Sequence, residues 1–392
     1  MFTQPKYKQW FITLHRYLGL TTAVFLIIAG ITGSILAYYH ELDEWLNPEL
    51  YFVTQQDQNY LSEPVLYEAA EKYSQQHNAS INTMPLEFSP GRSLLFRVKG
   101  SEEFNQLFVN PYTADILGKR QWADLSQGWG NLPGFIYRLH YSLWIPDNWG
   151  VLLFGIIALI WTLDCFIALA TTFPVLKTFR FKDFIKRWKQ SFKMRWHAKG
   201  YSFHFLLHRA AGLWLWFLLF IFAWSSVAFN WPEVYKPVTH AIFEAAPAAP
   251  ESNHNKPAMP LQQALDSARE HVQQLAQNKN ITLGNERSLR YLAASNTFQY
   301  RFHSSLDVDP DISRSVIYFD AYSGELLAEY WPTSQYSATT VTQWLYALHM
   351  AEVFGWPYQL FVCLLGLMVA YFSYSGVLIW WKKRFKKKQR QR

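Results

Sequence analysis

Two histidines, His204 and His208, sit four residues apart in "YSFHFLLHRAAGLWLW", where a charged segment gives way to apolar sequence. Four residues is about one helical turn, so both imidazoles lie on the same helix face. A second His-Arg pair opens "HRYLGLTTAVFLIIAGITGS" at His15. Two further histidines, His140 in "IYRLHYSLW" and His349 in "LYALHMAEV", each stand just ahead of a long apolar run. Histidine at such a position can be a polar anchor at the membrane interface, or it can ligate a metal. A zinc site built from His197, His204 and His208 has no evident further ligand. The two cysteines, Cys165 and Cys363, lie inside apolar blocks and form no metal motif or C-x-x-C-H haem-attachment run. They read as packing residues.

Internal duplication sets four of the twelve histidines apart. "HRYLGL" at His15 matches "HRAAGL" at His208, and the His140 run matches the His349 run. "FVNPYTADILG" from Phe108 matches "YFDAYSGELLA" from Tyr318. Each match falls at the same place in its half, which implies a parallel repeat with a pseudo-two-fold axis along the membrane normal. Such an axis brings His15 to His208 at one depth and His140 to His349 at the other. Two opposed imidazoles can be the axial ligands of a b-type haem, so two pairs imply two haems stacked across a bilayer. Arg16 and Arg209, adjacent to the first pair, suit haem propionates; as interfacial residues they would instead snorkel. His204 is one turn from His208 and is an alternative ligand or part of an electron-input site. His40 ends the first apolar block without a counterpart in the second half, and reads as an interfacial residue with ligation as its lesser alternative. Asp164 stands alone among apolar residues, in the cytoplasmic half of its helix. It reads either as the salt-bridge partner of Arg16 or Arg209, or as a proton acceptor at a quinol site.

The elements that must position these residues are membrane spans. Aromatic residues make up 18% of the chain, and the apolar residues gather in blocks. Four blocks, about Tyr17 to Tyr39, Val151 to Phe173, Ala210 to Trp231 and Tyr358 to Trp381, reach the roughly 20 helical residues that cross a bilayer. Asp164 weakens the second. Its insertion cost of about 3 kcal/mol is outweighed by roughly 4 to 7 kcal/mol from the surrounding Val, Leu, Ile and Phe residues. The first block is too long for a signal-peptide core and lacks a small-residue cleavage site, so it is expected to be retained.

Charge gives the orientation. The segment 174–209 carries ten Lys or Arg against one acid, Asp183, and the tail "KKRFKKKQRQR" carries eight and no acid. Lys6, Lys8 and Arg16 precede or open the first block. Four crossings place all three segments on one side, which the positive-inside rule makes the cytoplasm. The net charge of +7 is thereby explained by topology and anionic lipid, not by nucleic acid.

The expected plan is a mainly α membrane protein of the inner membrane, multi-pass, with both termini cytoplasmic. Residues 1–40 hold the N-terminus and the first span, 41–149 a periplasmic module, and 150–173 the second span. Residues 174–209 form a basic cytoplasmic loop, 210–231 the third span, and 232–357 a linker and second periplasmic module. The fourth span is 358–381 and the tail 382–392. Each module opens with an amphipathic helix, "EPVLYEAAEKYSQQH" or "PLQQALDSAREHVQQLA", followed by alternating strand-like runs. "PYTAD" and "AYSGE" read as hairpin turns. One helix laid on an antiparallel sheet, a small α+β module, fits both. "EAAPAAPESNHNKPAMP" over 244–260 is a linker.

These motifs, with the acidic "HELDEWLNPEL", "LHMAEVFGWPYQL" and "YSGVLIWW", resemble the PepSY-associated transmembrane family over nearly the whole chain. Its members include iron-regulated inner-membrane proteins and ferric-siderophore reductases. The resemblance implies four spans, two periplasmic PepSY modules and, in the reductases, haem b; its matching histidines here are His15, His140, His208 and His349. Two departures bear on helix approach: Thr32-Gly33 of the first span becomes Ser225-Ser226 in the third, and the second span lacks the Ser375-Gly376 pair of the fourth. The implied activity is reduction of periplasmic Fe(III), held as a ferric siderophore or other chelate. No G-x-G-x-x-G loop occurs, so the electron donor is a membrane quinol or a separate cytoplasmic flavoprotein. The alternatives are a non-catalytic PepSY protein that binds an envelope peptide or protein partner, and a transport accessory.

Overall fold

The computed structural model describes residues 5–389 except 177, 253–255 and 310–312, with side chains as far as 384. The ends of the expected N-terminal and tail segments, 1–4 and 390–392, lie outside the described residues. In chain order the first helices are α1 (Lys6–Leu36), α2 (Tyr39–Leu46), α3 (Pro48–Tyr51) and α4 (Glu63–Gln75). Strands β1 (Ser80–Ile81), β2 (Thr83–Pro85), β3 (Leu94–Lys99), β4 (Gln106–Val109) and β5 (Ile116–Arg120) follow. Next come α5 (Leu132–Ser142), α6 (Trp149–Thr172), α7 (Phe181–Trp188), α8 (Tyr201–Trp214), α9 (Trp216–Asn230), α10 (Pro232–His240) and α11 (Leu261–Lys279). Strands β6 (Leu283–Leu292), β7 (Thr297–Ser304), β8 (Ser315–Asp320) and β9 (Leu326–Tyr330) lead to α12 (Ser337–His349) and α13 (Gly355–Gln389). The chain divides into a helical unit, 1–38 with 137–238 and 348–392, and a mixed unit, 39–136 with 239–347.

In the helical unit, α1, α6 and α13 are each long and apolar enough to cross a membrane. The 24 residues of α6 rise about 36 Å, more than the roughly 30 Å of hydrocarbon. The block expected as a single span over 210–231 is not one straight helix. It is shared between α8 and α9, which bend by 72° at Leu215. No proline stands there. Gly212 lies one turn before the break, and just beyond it the Trp216 indole donates to the Cys165 carbonyl of α6 at 2.8 Å, tying the start of α9 sideways.

Small residues set the helix crossings. Helix α1 packs on α13 and α6, α6 on α9, and α13 on α8. A Cβ at Gly30 would collide with the Gly366 carbonyl, and one at Gly366 with the Gly30 carbonyl, so these two glycines let the α1 and α13 backbones touch. Ser34 on α1 adds a hydrogen bond to the Cys363 carbonyl of α13 at 2.8 Å.

The mixed unit is built from the two polar segments. Helix α4 buries Leu66, Ala70 and Ser74 at four-residue spacing, and α11 buries Ala264, Leu265, Ala268, Val272 and Ala276. They pack on antiparallel strands in the orders β1-β3-β4-β5 and β2-β6-β7-β8-β9. The expected strand runs are β3, β4, β7 and β8. Strand β2 joins the sheet of the other segment: Thr83, Met84 and Pro85 pair with Arg290, Leu289 and Ser288 of β6. The two polar segments consequently share one core, with Phe96, Leu107, Tyr300, Phe302, Ile317 and Phe319 at its centre.

Both hairpin turns use the same device. Asn110 Oδ1 accepts from the Tyr112 amide at 2.9 Å, and Asp320 Oδ1 accepts from the Tyr322 amide at 2.9 Å. The following left-handed position is Ala114 (φ 63) in one turn and Gly324 (φ 77) in the other. The acidic motif after α1 also acquires a role. Asp43 is buried and takes both Arg120 nitrogens, Nη1 at 2.7 Å and Nη2 at 2.6 Å, while Tyr51 and Asn47 donate to the same carboxylate.

Candidate functional site

Helix α1 carries His15 and α8 carries His208, and their rings lie 6.2 Å apart, centroid to centroid. The His15 Nδ1 is 3.0 Å from both carboxylate oxygens of Asp164 on α6. The His208 Nδ1 is 2.9 Å from Ser375 Oγ on α13. The other two histidines come from the short helices α5 and α12, and their ring centroids are 6.5 Å apart. The His140 Nδ1 is 2.9 Å from Thr32 Oγ1 on α1, and the His349 Nδ1 is 2.7 Å from Ser225 Oγ on α9. All four partners, Thr32, Asp164, Ser225 and Ser375, are buried polar groups.

The partners fix the tautomer. Ser375 Oγ already donates its proton to the Phe372 carbonyl at 3.1 Å, and Ser225 Oγ to Phe222 at 3.1 Å. Thr32 Oγ1 donates to Ile28 at 2.7 Å. A hydroxyl with its one proton committed is an acceptor, so each imidazole donates Nδ1–H to it. Asp164, as a carboxylate, likewise accepts from His15. The proton is therefore assigned to Nδ1 in all four rings, and the lone pair to Nε2. Among the described residues none of the four Nε2 atoms has a hydrogen-bond partner. Histidine ligands are held to metals in this way, with one nitrogen bonded to an outer acceptor and the other left to the metal.

Gly33 fits the same picture. A Cβ there would stand 3.0 Å from His140 Cε1, closer than ordinary van der Waals contact, so the glycine leaves room for the ring. At Gly376 a Cβ would stand 3.5 Å from His208 Cε1, an ordinary van der Waals contact, so that ring does not depend on the glycine for space.

Not every expected residue joins a pair. The Nδ1 of His204 is 3.0 Å from the Tyr371 hydroxyl, and the ring opposite His15 belongs to His208. His40 is exposed on α2 against Tyr39, outside the helical unit. Asp164 does not pair with Arg16 or Arg209, contrary to expectation; its partner is His15. The reason is helical: a residue next to a histidine is turned about 100° around the helix from it, so a carboxylate that meets His15 misses Arg16. Arg209 donates to the carbonyls of Ser191 at 3.1 Å and Gln190 at 3.4 Å. Arg16 has no hydrogen-bond or ion-pair partner among the described residues. The three hydroxyl acceptors escaped the sequence reading of chemistry, although the Thr32-Gly33 and Ser375-Gly376 pairs stood out there as packing features.

The arrangement offers two sites, each with two imidazoles and no third protein ligand: among the described residues no group of three or more His, Cys, Asp or Glu is placed to hold a metal ion. A metal suited to either site brings other ligands with it.

No curated protein matches the chain. The family model described as the PepSY-associated TM region matches it over residues 12–383. With its apolar helices, the chain is a multi-pass membrane protein and belongs to the PepSY-associated transmembrane family.

Proposed function

We propose that this protein is an inner-membrane haem b reductase that passes electrons from a quinol or a cytoplasmic flavoprotein to periplasmic Fe(III), held as a ferric siderophore or similar chelate. His15 and His208 hold one haem, and His140 and His349 the other. One observation carries the reading: four imidazoles in two pairs, each with Nδ1 bonded to a buried acceptor and Nε2 left without a protein partner.

The spacing supports it. A metal–imidazole bond of about 2.0 Å and a ring centre roughly 1.1 Å behind the nitrogen would allow two imidazoles on one metal ion up to about 6.2 Å between centres. The observed centroid distances are 6.2 and 6.5 Å. Two imidazoles alone do not complete a coordination shell, and a haem would supply the further nitrogen ligands. Bound there, haem supplies one-electron chemistry at its iron.

The chain's own part is to hold and orient. Asp164, Ser375, Thr32 and Ser225 keep the four Nε2 lone pairs available, and Gly33 gives the His140 ring its space. Arg16, uncommitted among the described residues, is the partner for a propionate. We assign four spans, with α8 and α9 together as the third, in a parallel repeat with two periplasmic PepSY-like modules. The interval from His15 to Thr32 recurs from His208 to Ser225, which supports the repeat. Basic termini and a basic loop support a cytoplasmic side for 174–209.

The test is the absorption spectrum of detergent-purified protein, oxidised and then dithionite-reduced. A low-spin b-type spectrum is expected, with one haem lost in His15→Ala or His208→Ala and the other in His140→Ala or His349→Ala. Ferric siderophore should then reoxidise the reduced wild type on mixing. Haem content unchanged from wild type in all four variants refutes the assignment; protein without haem returns the chain to a peptide- or partner-binding role.

A further inference from the structure

The face of the five-stranded sheet opposite the shared core holds a second site. One rung runs Arg301 on β7, Val316 on β8, Tyr330 on β9. Residues on one rung share a face. Their neighbours in sequence, Tyr300, Phe302 and Ile317, point into the core, so this rung faces away from it. Arg314, Trp331, Pro332 and two residues one turn apart on α12, Thr339 and Gln343, complete a cleft of about 190 Å³.

Two arginines, Arg301 and Arg314, line the cleft. Arg301 has no hydrogen-bond or ion-pair partner among the described residues. Partial burial first, and then the positive field of Arg287, Arg290 and Arg314, hold its guanidinium below the ordinary range. Glu329, on β9 two strands away, is engaged by Lys279 at 2.8 Å. Two further lining residues carry polar atoms with no protein partner although both atoms are buried: the Trp331 indole nitrogen and Gln343 Oε1. Buried polar atoms of this kind are uncommon and call for an explanation.

We propose that this cleft binds a carboxylate arm of the Fe(III) chelate, which makes the substrate a polycarboxylate-type, anionic chelate and not a cationic one. The proposal rests on the reductase reading above. A guanidinium fork matches a carboxylate with two parallel hydrogen bonds. The walls from Val316, Tyr330, Trp331 and Pro332 are carbon surface, which suits an organic anion better than free phosphate. Drug-sized ligands occupy roughly 300 to 1,000 Å³, so a cleft of about 190 Å³ takes one arm and leaves the iron outside.

The experiment is calorimetric titration of the full-length, detergent-purified protein with ferric citrate, with citrate alone, with inorganic phosphate and with a cationic trihydroxamate ferric chelate. The haem spectrum is recorded on the same sample. Ferric citrate and citrate should bind, phosphate and the cationic chelate should not, and Arg301→Gln should weaken citrate binding about tenfold or more. Thr339→Glu, on a different element, should weaken it as well by placing a negative charge at the mouth. Citrate binding that is absent, or equal in wild type and both variants, overturns the proposal, as does preferential binding of phosphate or of the cationic chelate. Citrate binding lost in Arg301→Gln but found in protein that carries no haem would retain the site and reject the reductase reading.

Discussion

Asp164→Asn is the sharpest perturbation of the proposed redox chain. Asp164 is the one charged acceptor among the four, with both oxygens 3.0 Å from His15 Nδ1 and only 11% of its side chain exposed. Asparagine keeps the volume and the hydrogen-bond acceptor and removes the charge. A hydrogen bond to a charged group contributes about 1.5–3 kcal/mol and a neutral one about 0.5–1.5 kcal/mol, so the exchange costs about 1.4 kcal/mol, or tenfold. An anion behind the ligand favours the oxidised, more positive centre. Placing the whole difference there raises the midpoint potential of the His15–His208 haem by about 59 mV for one electron. The other haem, whose ligands bond only to hydroxyls, should stay within error of wild type. A potentiometric titration followed by absorbance resolves both midpoints. The reasoning fails if both haems remain and neither midpoint moves, or if the affected midpoint falls.

Ser225→Ala removes the acceptor of His349 and, as for other outer-shell partners of metal ligands, should weaken retention of the His140–His349 haem about 10- to 100-fold, measured as haem loss to apomyoglobin. Arg120→Met strands the buried Asp43 carboxylate and should destabilise the mixed unit by about 3–5 kcal/mol in urea unfolding followed by tryptophan fluorescence. A third outcome depends on pH. Burial alone would raise the Glu286 carboxyl, but hydrogen bonds from Arg269 and Tyr300 outweigh it and hold it below its ordinary value of 4.5. A lowered carboxyl adds stability above the unfolded value and loses it as pH falls through the folded one. The stability gap between wild type and Arg269→Met should therefore be full near neutrality and close below about pH 4.5. A gap that is constant with pH would show that the ion pair contributes nothing.

Which histidines come together was legible in the sequence, because duplication singles out four positions and each marks the mouth of an apolar run. Their pairing across helices, 6.2 and 6.5 Å between ring centres, is what a two-fold relation would produce. Their acceptors were not legible. Thr32, Ser225 and Ser375 are ordinary small residues within spans, and only a histidine arriving from another helix makes each one an acceptor. The salt-bridge reading of Asp164 failed for a related reason: charge complementarity pointed to Arg16 or Arg209, while helix rotation turns Arg16 away from the face that His15 presents and Arg209 donates to the Ser191 and Gln190 carbonyls. The bend at Leu215 has no proline to announce it and arises where Trp216 is tied to α6. The exchange of β2 between sheets escaped because three residues, Thr83–Pro85, carry too little pattern to choose a partner. Asp43 belonged to a recognisable motif without a visible purpose; its partner, Arg120, lies far along the chain and meets it only in the folded unit.

Each ring at these sites is a bracket between two helices. His15 joins α1 to α6, and His208 joins α8 to α13. His140 ties α5 to α1, and His349 ties α12 to α9. A histidine on one helix whose acceptor sits on another cannot rotate without breaking a buried hydrogen bond, so ring orientation is set by helix packing and not by loops. The proposed electron transfer would favour such a site, since a centre that barely moves between two oxidation states wastes little free energy on reorganisation. Helix α1 takes part in both sites, with His15 as one of the paired rings in one and Thr32 as an acceptor in the other. The interval between them rises about 25 Å. The backbone contact of Gly30 with Gly366, between these two residues in the chain, fixes α1 against α13, the helix that carries Ser375. The glycines, the hydroxyls and the histidines are thus parts of one device, in which close helix approach at small residues holds the four imidazoles in register.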